Sequence, residues 1–126
     1  MEDNPLFQRH VMKDRTVIKR ISTCIDAAFR ELGSSVADAL YFYLENNFGL
    51  KKSEIPTHIE TFSEALHSIF GEGAKLIEKL CIKKLQQEFR IEIVEEEIGL
   101  ANAVKIIIKY TKMKTSNAKQ LAYSET

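Results

Sequence analysis

The stretch IKRISTCIDAAFRELGSS, running from Ile18 to Ser35, decides the fold. Within it Ile18, Ile21, Ile25, Ala28, Phe29 and Leu32 recur three and four residues apart. That spacing lays one apolar face along a helix from about Asp14 to Leu32. Gly33 follows the last periodic residue and supplies a left-handed stop. Ser34 and Ser35 then offer hydroxyls to cap the free N–H groups of a second helix.

Working outward, the same pattern repeats. Val36, Leu40, Tyr43 and Leu44 mark the second helix, which ends near Asn47 or Phe48 with Gly49 as its stop. Pro56 interrupts the connector 51–56, because proline lacks the N–H a helix interior needs. Thr57 with Glu60 three residues on has the form of a capping box. It opens a third helix whose face carries Phe62, Ala65, Leu66, Ile69 and Phe70. Gly71 ends that helix and Gly73 opens a fourth, striped by Ile77, Leu80, Cys81, Leu85 and Phe89. Beyond Phe89 the period changes to two, which predicts a short extended segment at 91–95. A fifth helix is expected from about Ile98 to Met113. The β-branched run Ile106-Ile107-Ile108 opposes it and leaves a hairpin of 90–96 with 104–111 as the alternative. The expected fold is all-α, a compact array of four to five helices over residues 14–113. Residues 1–13 and the Lys-containing tail 114–126 are expected to be flexible ends.

Length and composition agree with one folded domain. At 126 residues about two-thirds of the unfolded surface can be buried. An apolar fraction of 44% and zero net charge exclude intrinsic disorder. The zero conceals a pattern: residues 1–20 carry net +2, residues 21–104 net −6 and residues 105–126 net +4. An acidic body disfavours a nucleic-acid binder, although basic ends are compatible with one. The charge-free apolar runs, such as Ala39–Leu44, fall far short of the ~20 residues of a membrane span. The amino-terminal residues lack the apolar run of a signal peptide. These features predict a cytoplasmic protein without a membrane anchor.

Chemistry-bearing residues are sparse. Cys24 and Cys81 are far apart and outside any CxxC pair, so buried free thiols are favoured over a redox switch. Glu64 and His67 form one Glu-x-x-His step, which places both on one helix face. Di-iron bundles use two such steps with two further Glu, and no second step exists here. His10 and His58 have no companion at metal-ligand spacing. The turn Gly71-Glu72-Gly73-Ala74-Lys75 could present N–H groups to an anion, but the spacing of a phosphate loop is missing. A helix junction explains the same glycines. Tyr41-Phe42-Tyr43 cannot form one stacking platform, because neighbours on a helix point about 100° apart. At least one ring should face the core and another the surface. Glu95-Glu96-Glu97 reads as a solvated acidic run. No catalytic, cofactor-binding or metal-binding residue is assigned.

Several short strings, taken in order, carry a family resemblance. They are Leu32-Gly33-Ser34-Ser35-Val36, Ala39-Leu40-Tyr41-Phe42-Tyr43-Leu44-Glu45, Phe48-Gly49-Leu50, Glu54-Ile55-Pro56 and Phe70-Gly71-Glu72-Gly73-Ala74-Lys75-Leu76-Ile77-Glu78. Over residues 20–113 the chain resembles the archaeal Nitrososphaera output domain family. The resemblance implies an output or interaction module of a signalling system and brings no catalytic residues with it. The leading expectation is therefore a non-enzymatic module that binds a protein partner or its own copy. A nucleic-acid-associated regulator is the disfavoured alternative. A small-molecule or metal-binding helical domain is another, with Glu64, His67 and the 71–75 turn as its candidates.

Overall fold

A computed structural model of the chain describes the backbone of residues 5–93 and 98–124, and the side chains of residues 15–93 and 98–112. It is all-α. The helices are α1 (Pro5–Glu31), α2 (Ser34–Phe48), α3 (Ile59–Phe70), α4 (Ala74–Phe89) and α5 (Leu100–Ser124). Short 3₁₀ turns occupy Lys52–Glu54, Pro56–His58 and Gly71–Gly73.

The longest packing seam joins α1 to α4. Arg20 meets Glu88 and Cys24 meets the carbonyl of Lys84, so the two helices run antiparallel. The Arg20 guanidinium also stacks 4.3 Å over the Phe89 ring. On the inner side Ile21, Ile25, Ala28 and Phe29 of α1 are buried with Ile77, Cys81 and Leu85 of α4. Phe29 anchors the centre, with ring centroids 5.3 Å from Tyr41 and 5.8 Å from Phe62. Leu44 of α2, Leu66 of α3 and Leu100, Val104 and Ile107 of α5 complete one core. Burying each such side chain contributes about 1.5–3 kcal/mol.

The glycine stops form as expected at Gly49, which is left-handed with φ 63°, and at Gly71 with φ 55°. Gly33 also has positive φ, at 123° with ψ 140°, outside the left-handed helical well but in a region that only glycine adopts readily. Ser34 and Ser35 do not cap α2: Gly33 holds the cap position and its carbonyl accepts from the Ala37 N–H. The capping box expected at Thr57 and Glu60 is also absent. Pro56 starts a 3₁₀ turn that absorbs Thr57, whose hydroxyl donates to the Glu54 carbonyl. The reciprocal contact lies one turn earlier, where the Lys51 N–H donates to Glu54.

Three further expectations change. The helices extend into both segments set aside as flexible ends, from Pro5 and to Ser124. Proline is suited to a first helical position, since its φ is already helical and its missing N–H is not needed there. Residues 91–93 adopt neither helix nor strand, and the rest of the expected extended segment lies outside the described residues. The hairpin alternative is overturned, because 104–111 is helical. Leu100, Ala103, Val104 and Ile107 are fully buried at helical spacing. Their packing outweighs the modest cost of the β-branched run. Successive rotation leaves Ile106 exposed beside buried Ile107.

Candidate functional site

Among the described residues, Glu78 is the buried charged side chain of the core. It stands in the second turn of α4 between Ile77 and Cys81, both buried. A buried carboxylate is costly unless its oxygens are satisfied. Here one oxygen accepts from the Ser63 hydroxyl at 2.8 Å and from His67 Nε2 at 2.8 Å. The other accepts from the backbone N–H of Leu100 at 2.9 Å. Leu100 is the first residue of α5, so Glu78 caps that helix from a different helix. The negative charge also meets the positive end of the α5 dipole.

This arrangement fixes the chemistry available to its members. A carboxylate only accepts, so His67 Nε2 carries a proton, and in the neutral ring Nδ1 is the acceptor. Ser63 donates to the same carboxylate rather than to His67. The hydroxyl is therefore held on the carboxylate and not on the imidazole, so no Ser–His pair forms here. These three side chains and the Leu100 N–H join α3, α4 and α5 around one charge.

Beside the cluster lies a recess of about 490 Å³. Buried Glu78 lies at its base, exposed His67, Lys75 and Lys79 at its rim, and half-buried Ile82 and Ile98 give it an apolar lining. Lys75 and Lys79 are one helical turn apart on α4. Lys75 lies 3.6 Å from Glu72, with both side chains exposed. Such a pair is worth little in water.

A second polar cluster joins α1, α2 and the 52–54 turn. Asp26 accepts from the Tyr41 hydroxyl at 2.9 Å and pairs with Lys52 at 3.1 Å and Arg30 at 3.4 Å. Burial pushes the Asp26 carboxyl up. The hydrogen bonds from Lys52 and Tyr41, with the charges of Lys52 and Arg30, outweigh burial and hold it below its ordinary value. Burial raises the Tyr41 phenol well above its usual range, and Asp26 adds to the effect. Lys52 also sits 4.9 Å from the centre of the Tyr41 ring.

The outer face of α2 is different in kind. Val36, Ala39, Phe42 and Tyr43 are all exposed, Phe42 by 72%. At 100° per residue they share an arc with Ser35 and Asn46, and no charged residue falls within it. The Asn46 and Asn47 amides fold back onto the carbonyls of Phe42 and Tyr43. The exposed carboxylates Asp38 and Glu45 stand along one border.

The remaining candidates resolve as follows. His67 does not pair with Glu64, which is exposed; it turns to Glu78 on the next helix. The 71–75 turn is a helix junction, although Lys75 reaches the recess rim. His58 contacts the Glu54 carbonyl and the Thr57 hydroxyl within its own turn. His10 lies in α1, and its side chain is outside the described set, as is the run Glu95–Glu97. Of the aromatic run, Tyr41 packs on the core while Phe42 and Tyr43 face out. Cys24 and Cys81 are both buried and free. Burial raises their thiols to about 11 and about 12. Among the described residues no group of three His, Cys, Asp or Glu could hold a metal ion. Nor is any described helix long and apolar enough to cross a membrane.

Glu78 was the residue that local spacing passed over. It lies three residues before Cys81 and seven before Leu85, on the apolar stripe itself. A carboxylate at a core position must find donors, and that was the signal for it. No family model, curated protein or solved structure matches the chain.

Proposed function

We propose that the chain is a non-enzymatic interaction module of a cytoplasmic signalling system, and that the outer face of α2 is its docking surface. The observation that carries this reading is the uncharged, exposed stripe of Val36, Ala39, Phe42 and Tyr43. Clustered apolar exposure rimmed by polar residues is a mark of contact sites. The stripe is one helix face wide, less than the ~800 Å² per partner that a standard interface buries. It suits a transient contact better than an obligate dimer. Asp38 on its border is paired with Arg30 at 3.0 Å, which leaves Glu45 to favour a protein whose apolar helix is flanked by a basic residue. The use of Ser63 and His67 as donors to Glu78 supports a structural role for those side chains. The resemblance to the archaeal Nitrososphaera output domain family points the same way.

Gel filtration tests the reading. The purified wild type should elute as a monomer, whereas in native extract it should elute within a larger complex. Phe42→Glu should fold normally and return the extract species to monomer size. If Phe42→Glu leaves the complex intact, the α2 face is not the docking surface. A purified wild type that is already dimeric would replace the heterologous partner with a second copy.

A further inference from the structure

We infer that the recess between α3, α4 and the start of α5 binds a small organic anion that carries an apolar body. The argument begins with charge. Among the described residues Glu78 is the carboxylate that borders the recess, and both its oxygens are engaged with Ser63, His67 and the Leu100 N–H. Its charge is directed into the fold, towards the amino-terminal end of α5. At the rim, Lys75 and Lys79 contribute two ammonium groups on one side of α4. Lys79 makes no ion pair among the described residues, and Lys75 has only the open 3.6 Å contact with Glu72. Among the described residues the mouth thus carries two ammonium groups above a carboxylate whose oxygens are both hydrogen-bonded.

Shape supplies the rest. About 490 Å³ lies within the range of small-molecule sites. Ile82 and Ile98, both half-buried, give one wall that water solvates poorly. A ligand with a carboxylate or phosphate head would reach the lysines while its body covers these isoleucines. His67, held through Nε2 by Glu78, is fixed in orientation beside them. Polar groups on a rigid element with an apolar wall form the usual composition of a ligand site. The site is separate from the α2 face and does not depend on it.

Four probes distinguish the parts of the proposal: benzoate, phenyl phosphate, inorganic phosphate and benzyl alcohol. Amide and side-chain shifts are followed by NMR on the full chain. Benzoate or phenyl phosphate should give saturable shifts at Lys79, Gly99 and His67, and the tighter of the two names the head group. Benzyl alcohol and inorganic phosphate should each bind at least about tenfold more weakly, since each lacks one half of the ligand. The Lys75→Glu/Lys79→Glu double variant should lose a similar factor at an unchanged melting temperature. Absence of saturation by about 10 mM for both aromatic anions would overturn the site. So would equal binding by the double variant, or inorganic phosphate binding as tightly as phenyl phosphate.

Discussion

Replacing Glu78 removes the acceptor for three donors at once, and the structure allows the cost to be worked out. In Glu78→Ala the Leu100 N–H, at the buried start of α5, loses its partner at 2.9 Å. An orphaned buried donor costs about 1–3 kcal/mol. Loss of the carboxylate at the α5 amino terminus removes a further ~0.3–1 kcal/mol. His67 is 44% exposed on its side chain, so it recovers water and adds little. The total is about 1.5–4 kcal/mol, or a fall in melting temperature of about 5–15 °C at this chain length. Glu78→Gln keeps one carbonyl oxygen for Leu100, while the Ser63 hydroxyl and the His67 ring can each turn to accept from the amide. It should cost about 1 kcal/mol. Urea unfolding followed by circular dichroism at 222 nm measures both. The reasoning fails if Glu78→Ala lies within about 0.5 kcal/mol of wild type, or if Glu78→Gln is the more damaging of the two.

Further outcomes follow from other parts of the molecule. The Asp26 carboxyl is held below its ordinary value in the folded state. Its contribution should be fully present well above ~3.9 and lost as pH falls through the lower folded value. The stability gap between wild type and Asp26→Asn, measured by urea titration, should therefore narrow on acidification and stay constant between pH 5 and 7. Cys24 and Cys81 should resist iodoacetamide at pH 8 while folded and react promptly in urea, as mass spectrometry would show. Rapid labelling of the native chain would contradict their burial and raised thiol values. Arg90 ends α4 in the left-handed region at φ 53°. Arg90→Gly relieves that conformation and should raise stability by about 0.5–1 kcal/mol in the same urea assay.

The fold was legible because its helices carry their own punctuation. Apolar residues three and four apart, broken by Gly33, Gly49, Pro56 and Gly71, place the junctions from α1 to α4 within a few residues. The helix ends were not legible at Pro5 and Ser124, because expectation there followed the apolar stripe. A helix, once nucleated by packing, propagates into residues that have no stripe. The run Ile106–Ile108 reads locally as strand, and only burial against the core settles it as helix. The polar cluster was hidden for a related reason. Glu64 and His67 are neighbours by spacing, whereas Glu78 reaches His67 and Leu100 through the packing of three helices. A remote cap of this kind leaves no short motif. The α2 face was half visible: the Tyr41–Tyr43 run implied that its rings divide between core and surface, but which face stayed open depended on where α1 and α3 pack.

Site-specific photo-crosslinking tests the central claim most directly. A benzophenone side chain placed at position 42 lies on the α2 face, and one placed at the exposed Lys83 position on α4 serves as the control. Irradiated in the native host, position 42 should give one discrete heteromeric adduct, which position 83 does not give. Equal adducts at both positions, or none at position 42, would contradict the assignment of the α2 face as the docking surface.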